Sequence, residues 1–138
     1  MIEPKEISKA ANWHLAKCIA IVGLLTAASV AVGLQGNTTI CYAAISAFTF
    51  ALVECLALIL TWKWVVVSHF NYITTFHTAA SGARMLLALA ALCVVFAFVG
   101  RDAMAPYVIV FGAYYFVLLV LHSVFFAKQT KILFDNKQ

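Results

Sequence analysis

Hydrophobic positions fall into four long blocks along this chain. The clearest covers residues 41–61, CYAAISAFTFALVECLALILT, where Glu54 is the only charge before Trp62, Lys63 and Trp64 close the block. At about 1.5 Å per residue such a block extends about 30 Å, the thickness of a bilayer's hydrocarbon core. Apolar runs of similar length cover residues 14–34, 79–99 and 106–127. The pattern predicts an all-α, polytopic membrane protein with four transmembrane helices arranged as two antiparallel hairpins. The predicted helices are 14–34, 41–63, 79–99 and 106–127, within a single membrane domain over 1–138. The remainder divides into a polar leader 1–13, a cytoplasmic loop 64–78 and a tail 128–138.

Spacing inside the blocks assigns faces. Ala43, Ala47 and Ala51 recur every four residues and Glu54 follows three later, so all four share one side of the second helix. Small residues let a second helix approach closely, which predicts that Glu54 points inward. The first helix has a comparable stripe in Gly23, Ala27 and Ala31, and the third opens on Gly82. All seven small residues are expected at helix-packing contacts. Trp13, Trp62, Lys63 and Trp64 are expected at the interface, where aromatic rings and basic side chains concentrate. Gly36 and Asn37 mark a turn after the first helix, and Pro106 suits the first turn of the fourth.

Composition strengthens the membrane assignment. The 138 residues are 65% hydrophobic and only 10% charged, whereas soluble domains carry roughly 25% charge. Mean hydropathy is +1.01. The first apolar block is too long for a cleavable signal and is expected to remain as a helix. Of the nine basic residues, Lys5, Lys9, Lys17, Lys63, Arg84, Lys128, Lys131 and Lys137 belong to one side of the predicted topology, and Arg101 alone to the other. That asymmetry predicts cytoplasmic N- and C-termini in a membrane such as the bacterial inner membrane. The net charge of +4 is spread over membrane-adjacent segments, which points to a bilayer with anionic headgroups and not to nucleic acid.

Candidate chemistry is confined to polar groups within the blocks. Charged residues inside membrane segments usually face protein or water, and Glu54, Arg84 and His122 are predicted to form an intramembrane polar cluster. Arg84 shares its face with Ala80, Ala88 and Ala91, so it too is expected to look inward. Three roles fit: a structural clasp between helices, a proton or ion relay, and a polar contact to a partner subunit. Cys18, Cys41, Cys55 and Cys93 have no paired spacing and read as small buried hydrophobes. Bis-histidine haem is disfavoured because His122 alone lies well inside a predicted helix, with His14 at a helix mouth. No metal, cofactor or catalytic residue is expected.

A resemblance follows from the order of these features. Helix 3 opening as SGARMLLALAALCVVFAFV, the APYVIVFGAYYFVLLVLHSVF segment and a lysine-bearing tail together resemble the four-helix ATP synthase I chain family, especially its divergent Bacteroidetes forms. Gly82, Arg84 and Pro106 are the matching positions, while His122 stands where those relatives often carry an acid. The resemblance implies an accessory role beside the rotary ATP synthase, such as rotor-ring assembly or magnesium supply. The expected function is therefore non-enzymatic: a membrane accessory or assembly protein whose partners are other membrane subunits or a second copy. A small dimeric proton-coupled transporter using Glu54 is the main alternative, and a membrane anchor of a redox complex the third.

Overall fold

Four long α-helices make up nearly all of the computed structural model, which describes residues 3–137. They are α1 (Pro4–Leu34), α2 (Thr38–Ser68), α3 (Ile73–Val99) and α4 (Met104–Asp135), with a 3₁₀ turn at Phe70–Tyr72 before α3. All four are long and apolar enough to cross a membrane, which fits an integral membrane protein. Residues 1 and 2 of the expected leader and residue 138 of the expected tail lie outside the described residues.

Every helix outruns the apolar block that predicted it. Pro4 occupies the first turn of α1, where its fixed φ suits the helix and its missing N–H sacrifices no bond. The expected leader is thus helical, and its Ile7 and Ala11 are buried. The expected loop 64–78 is mostly helix as well: α2 continues to Ser68, breaks at His69, and α3 begins at Ile73. Burial explains the extension, because Val65, Val66 and Ile73 join Ile7, Phe125, Phe126 and Leu133 in one apolar cluster. Residues 128–135 continue α4 because Leu133 still has core to cover.

The chain ends its helices with local chemistry. Asn37 Oδ1 accepts from the backbone N–H of Thr39 at 3.1 Å, capping α2 after a three-residue turn. Gly100, at φ 81°, closes α3 in the left-handed region that favours glycine, its N–H donating to Phe96 O at 3.0 Å. Pro106 falls in the first turn of α4, before backbone donors are required.

α2 is the hub of the bundle. It touches α1, α3 and α4, while α1 and α3 do not meet among the described residues. Its inward face carries Ala43, Ala47, Ala51, Glu54, Cys55, Leu58 and Trp62, all buried. Two apolar cores result, one holding Ile7, Ile59, Trp62 and Phe126, the other Val22, Ala47, Phe111 and Leu118. Between them lies a polar layer of His14, Glu54, Arg84 and His122, the buried polar or charged residues of the described chain.

Two expectations about faces need correction. In α1, Gly23 is half-buried with open space where a Cβ would stand, and Ala27 and Ala31 are exposed. The buried face is instead Ile7, Ala11, His14, Cys18 and Val22, because larger residues at the same helical period fill the space against α2 and α4. Gly82 of α3 is also exposed, with nothing near its Cα. Trp13 and Trp64 are exposed and Lys63 is half-buried, but Trp62 is 1% exposed. Trp62 follows Leu58 by four residues, which places it on the inward stripe against the Phe125 and Phe126 rings.

Candidate functional site: a buried polar layer

The layer contains two constellations. The first joins α2 to α3: Arg84 Nε donates to Glu54 Oε1 in a buried ion pair. Both side chains stand on the faces their alanine neighbours share, so helix geometry alone brings them together. The pairing is incomplete, since Glu54 Oε2 and Arg84 Nη2 have no partner among the described residues. The guanidinium carbon lies 5.6 Å from the Tyr115 ring centroid, a cation–π contact with α4. Beside it, between α3 and α4, a groove of about 380 Å³ is lined by His77, Ser81, Arg84, Ser123, Phe126 and Thr130. His77 Nε2 and Thr130 Oγ1 are hydrogen-bonded at 2.9 Å across the mouth of this groove.

The second constellation joins α1, α2 and α4. His14 Nε2 and His122 Nδ1 are 2.9 Å apart, and Cys18 Sγ lies 3.4 Å from the same His14 nitrogen. Cys55 Sγ approaches the opposite nitrogen of His122 at 3.8 Å. Phe125 stacks on the His14 ring at 4.0 Å with an interplanar angle of 13°, fixing the plane of the imidazole. One proton placement satisfies the group without net charge: Cys55 S–H donates to His122 Nε2, and His122 Nδ1–H donates to His14 Nε2. Neutral groups that bond one another are the low-cost way to hold polar atoms in an apolar bundle.

No family model, curated protein or solved structure matches this chain. Its site is therefore argued from its own geometry. Glu54 and Arg84 are brought together, whereas His122, fully buried, bonds His14 and not the ion pair. His14, Cys18 and Cys55 are the residues that sequence reasoning left out. Placing the helix start at residue 14 put His14 at a mouth, but α1 starts at Pro4 and carries His14 three turns inside. A signal was present: His14 and Cys18 are four apart on one helix, a spacing that sets two donors on one face. Three donor atoms, one each from His14, Cys18 and His122, lie within 4.8 Å of one another.

Proposed function

We propose that this chain is a non-enzymatic accessory or assembly subunit of a membrane complex, folded as two antiparallel transmembrane hairpins and acting through helix-to-helix contacts. The observation that carries the reading is the openness of α3. Only 6% of its most apolar stretch is buried, against 11% for α1, 33% for α4 and 44% for α2, and its buried residues are Ile73 and Arg84. The outward face combines the small residues Ala79, Gly82, Ala83, Ala90 and Ala97 with Leu86 and Phe98, all exposed. Small residues beside large ones are the surface on which another transmembrane helix packs well. The ion pair serves as a clasp that orients this face by tying α3 to α2. The rotary ATP synthase of the bacterial inner membrane, with both termini of this chain cytoplasmic, is the partner complex the resemblance implies.

The test replaces Gly82 and Ala90 with leucine and phenylalanine, which disturbs no contact within the bundle. Tagged protein is purified in mild detergent and blotted for the rotor-ring subunit. Wild type is expected to retain that subunit and the double variant to lose it; equal retention by both would overturn the docking face. The unpartnered Glu54 Oε2 favours a second reading, a small proton-coupled transporter. In liposomes that reading predicts pH-driven transport that Glu54→Gln abolishes, whereas the accessory reading predicts no transport by either form.

A further inference from the structure

We propose that His14, Cys18 and His122 form a binding site inside the helix bundle for a thiophilic d¹⁰ metal ion, Cu(I) in preference to Zn(II). The site is independent of the accessory reading. Its donors come from rigid helices: His14 and Cys18 from one face of α1 and His122 from α4, with Cys55 on α2 alongside. His14, Cys18, Cys55 and His122 are between 0% and 4% exposed, so water offers a bound ion little competition.

Distances already approach those of a ligand shell. Metal bonds of about 2.0 Å to imidazole and 2.3 Å to thiolate at tetrahedral angles separate two nitrogens by about 3.3 Å and a nitrogen from a sulfur by about 3.5 Å. The corresponding separations here are 2.9 Å for His14 to His122 and 3.4 Å for His14 to Cys18. An ion enters as the His122 proton moves from Nδ1 to Nε2, where Cys55 Sγ is the neighbouring acceptor, and as the imidazole pair widens by a few tenths of an ångström. Phe125, stacked on His14, holds one ring plane, and the Cys55 thiol at the far nitrogen of His122 orients the other.

Donor chemistry and charge choose the metal. Two imidazoles and a thiol suit Cu(I) and Zn(II), and no oxygen donor for Mg(II) or Ca(II) is at hand because Glu54 is engaged by Arg84. Binding converts the Cys18 thiol to a metal-bound thiolate and releases its proton to solvent. One thiolate with Cu(I) is neutral as a three-coordinate site. Zn(II) with the same single thiolate keeps a positive charge, so the donor set favours Cu(I). A neutral assembly is the one an apolar bundle tolerates.

The experiment uses the full-length protein in detergent, reduced, stripped with chelator and kept anaerobic. Cu(I) and Zn(II) are titrated separately against chromophoric chelators, with Co(II) as a spectroscopic stand-in for zinc. One ion per chain is expected, with a thiolate charge-transfer band and a metal-dependent rise in Tm. Cys18→Ser, His14→Ala and His122→Ala should each weaken binding on the order of 100-fold or more. Cys41→Ser and Cys93→Ser, which alter thiols outside the group, should bind as wild type does. Cu(I) should bind more tightly than Zn(II); tighter binding of Zn(II) overturns the preference. Helicity by circular dichroism separates loss of metal from loss of fold, and His122→Asn provides a milder variant. Binding that survives both histidine changes, that is lost with Cys93→Ser, or that is absent from folded wild type sinks the proposal.

Discussion

Removing Arg84 tests the ion pair most directly. Arg84→Met keeps the length and apolar body of the side chain but strips Glu54 of its partner, leaving a carboxylate 3% exposed between two apolar cores. Breaking a buried pair in this way costs about 3–5 kcal/mol, and placing a charge at the centre of a membrane helix costs about 2.5–3.5 kcal/mol on insertion scales. A loss of about 3 kcal/mol is expected. Glu54→Gln preserves an acceptor for the guanidinium and should lose slightly less. Because Glu54 Oε2 and Arg84 Nη2 are unpartnered, the pair recovers only part of its own desolvation. The double change Glu54→Leu with Arg84→Met is therefore expected to return to within about 1 kcal/mol of wild type, since apolar replacements of buried pairs are often neutral. Unfolding in mixed micelles with increasing dodecyl sulfate, followed by tryptophan fluorescence, to which buried Trp62 contributes beside exposed Trp13 and Trp64, and by far-ultraviolet circular dichroism, gives each free energy. A single change costing under about 1 kcal/mol, or strictly additive effects in the double variant, would refute the clasp.

Three further expectations follow. Thr26 Oγ1 donates to Val22 O at 2.8 Å, so the 2.6 Å bond to Tyr114 must be donated by the phenol; Tyr114→Phe should cost about 0.6 kcal/mol in the same micelle assay, the usual worth of an interhelical bond in membrane proteins. Gly33→Ala would set a Cβ 2.6 Å from Cys41 Sγ and 3.1 Å from the Cys41 backbone nitrogen, and the backbone cannot yield as the thiol can. About 1–3 kcal/mol of overpacking cost is expected, read as a lowered dodecyl sulfate midpoint. Phe98, 87% exposed, should tolerate Phe98→Leu within about 0.5 kcal/mol by that measure, since the side chain touches little of the bundle.

What the sequence made legible was periodicity and what it hid was length. Four apolar blocks correspond to four helices, and the Ala43, Ala47, Ala51, Glu54 spacing identified the side of α2 that is buried. Helix ends were not legible from hydropathy, because residues 4–13 and 128–135 are polar enough to read as loops and residues 64–68 follow a Trp62, Lys63, Trp64 cluster that marks an interface, yet these stretches place Ile7, Val65, Val66 and Leu133 in the core. That error carried forward to His14, whose depth depends on where α1 begins. The α1 stripe shows a different limit. A small residue is compatible with a close helix neighbour and equally with lipid, so Gly23, Ala27 and Ala31 define a face without saying what covers it. Only packing decides, and larger side chains won the inward position. The histidine and cysteine group was hidden for a third reason: its members come from three helices, and only the His14 to Cys18 step is local.

The two constellations divide the work of holding the bundle. α1 is tied to α4 by the imidazole pair and α4 to α2 by the Cys55 to His122 contact, while α3 is tied to α2 by one ion pair and leans on α4 through Tyr115 and the His77 to Thr130 bond. Polar contacts at mid-helix set rotation and register more sharply than apolar ones, because a donor shifted by one turn has no acceptor to meet. The α1, α2 and α4 unit also shares apolar cores, so its register is specified twice. α3 reaches the same cores through Ile73 and the half-buried Phe76, Ala80, Ala91, Leu92, Val95 and Val99, a narrower face on which Arg84 is the one buried charge. A helix packed along one narrow face keeps its outer face exposed. If a partner subunit docks there, as proposed, the ion pair that orients α3 couples docking to stability.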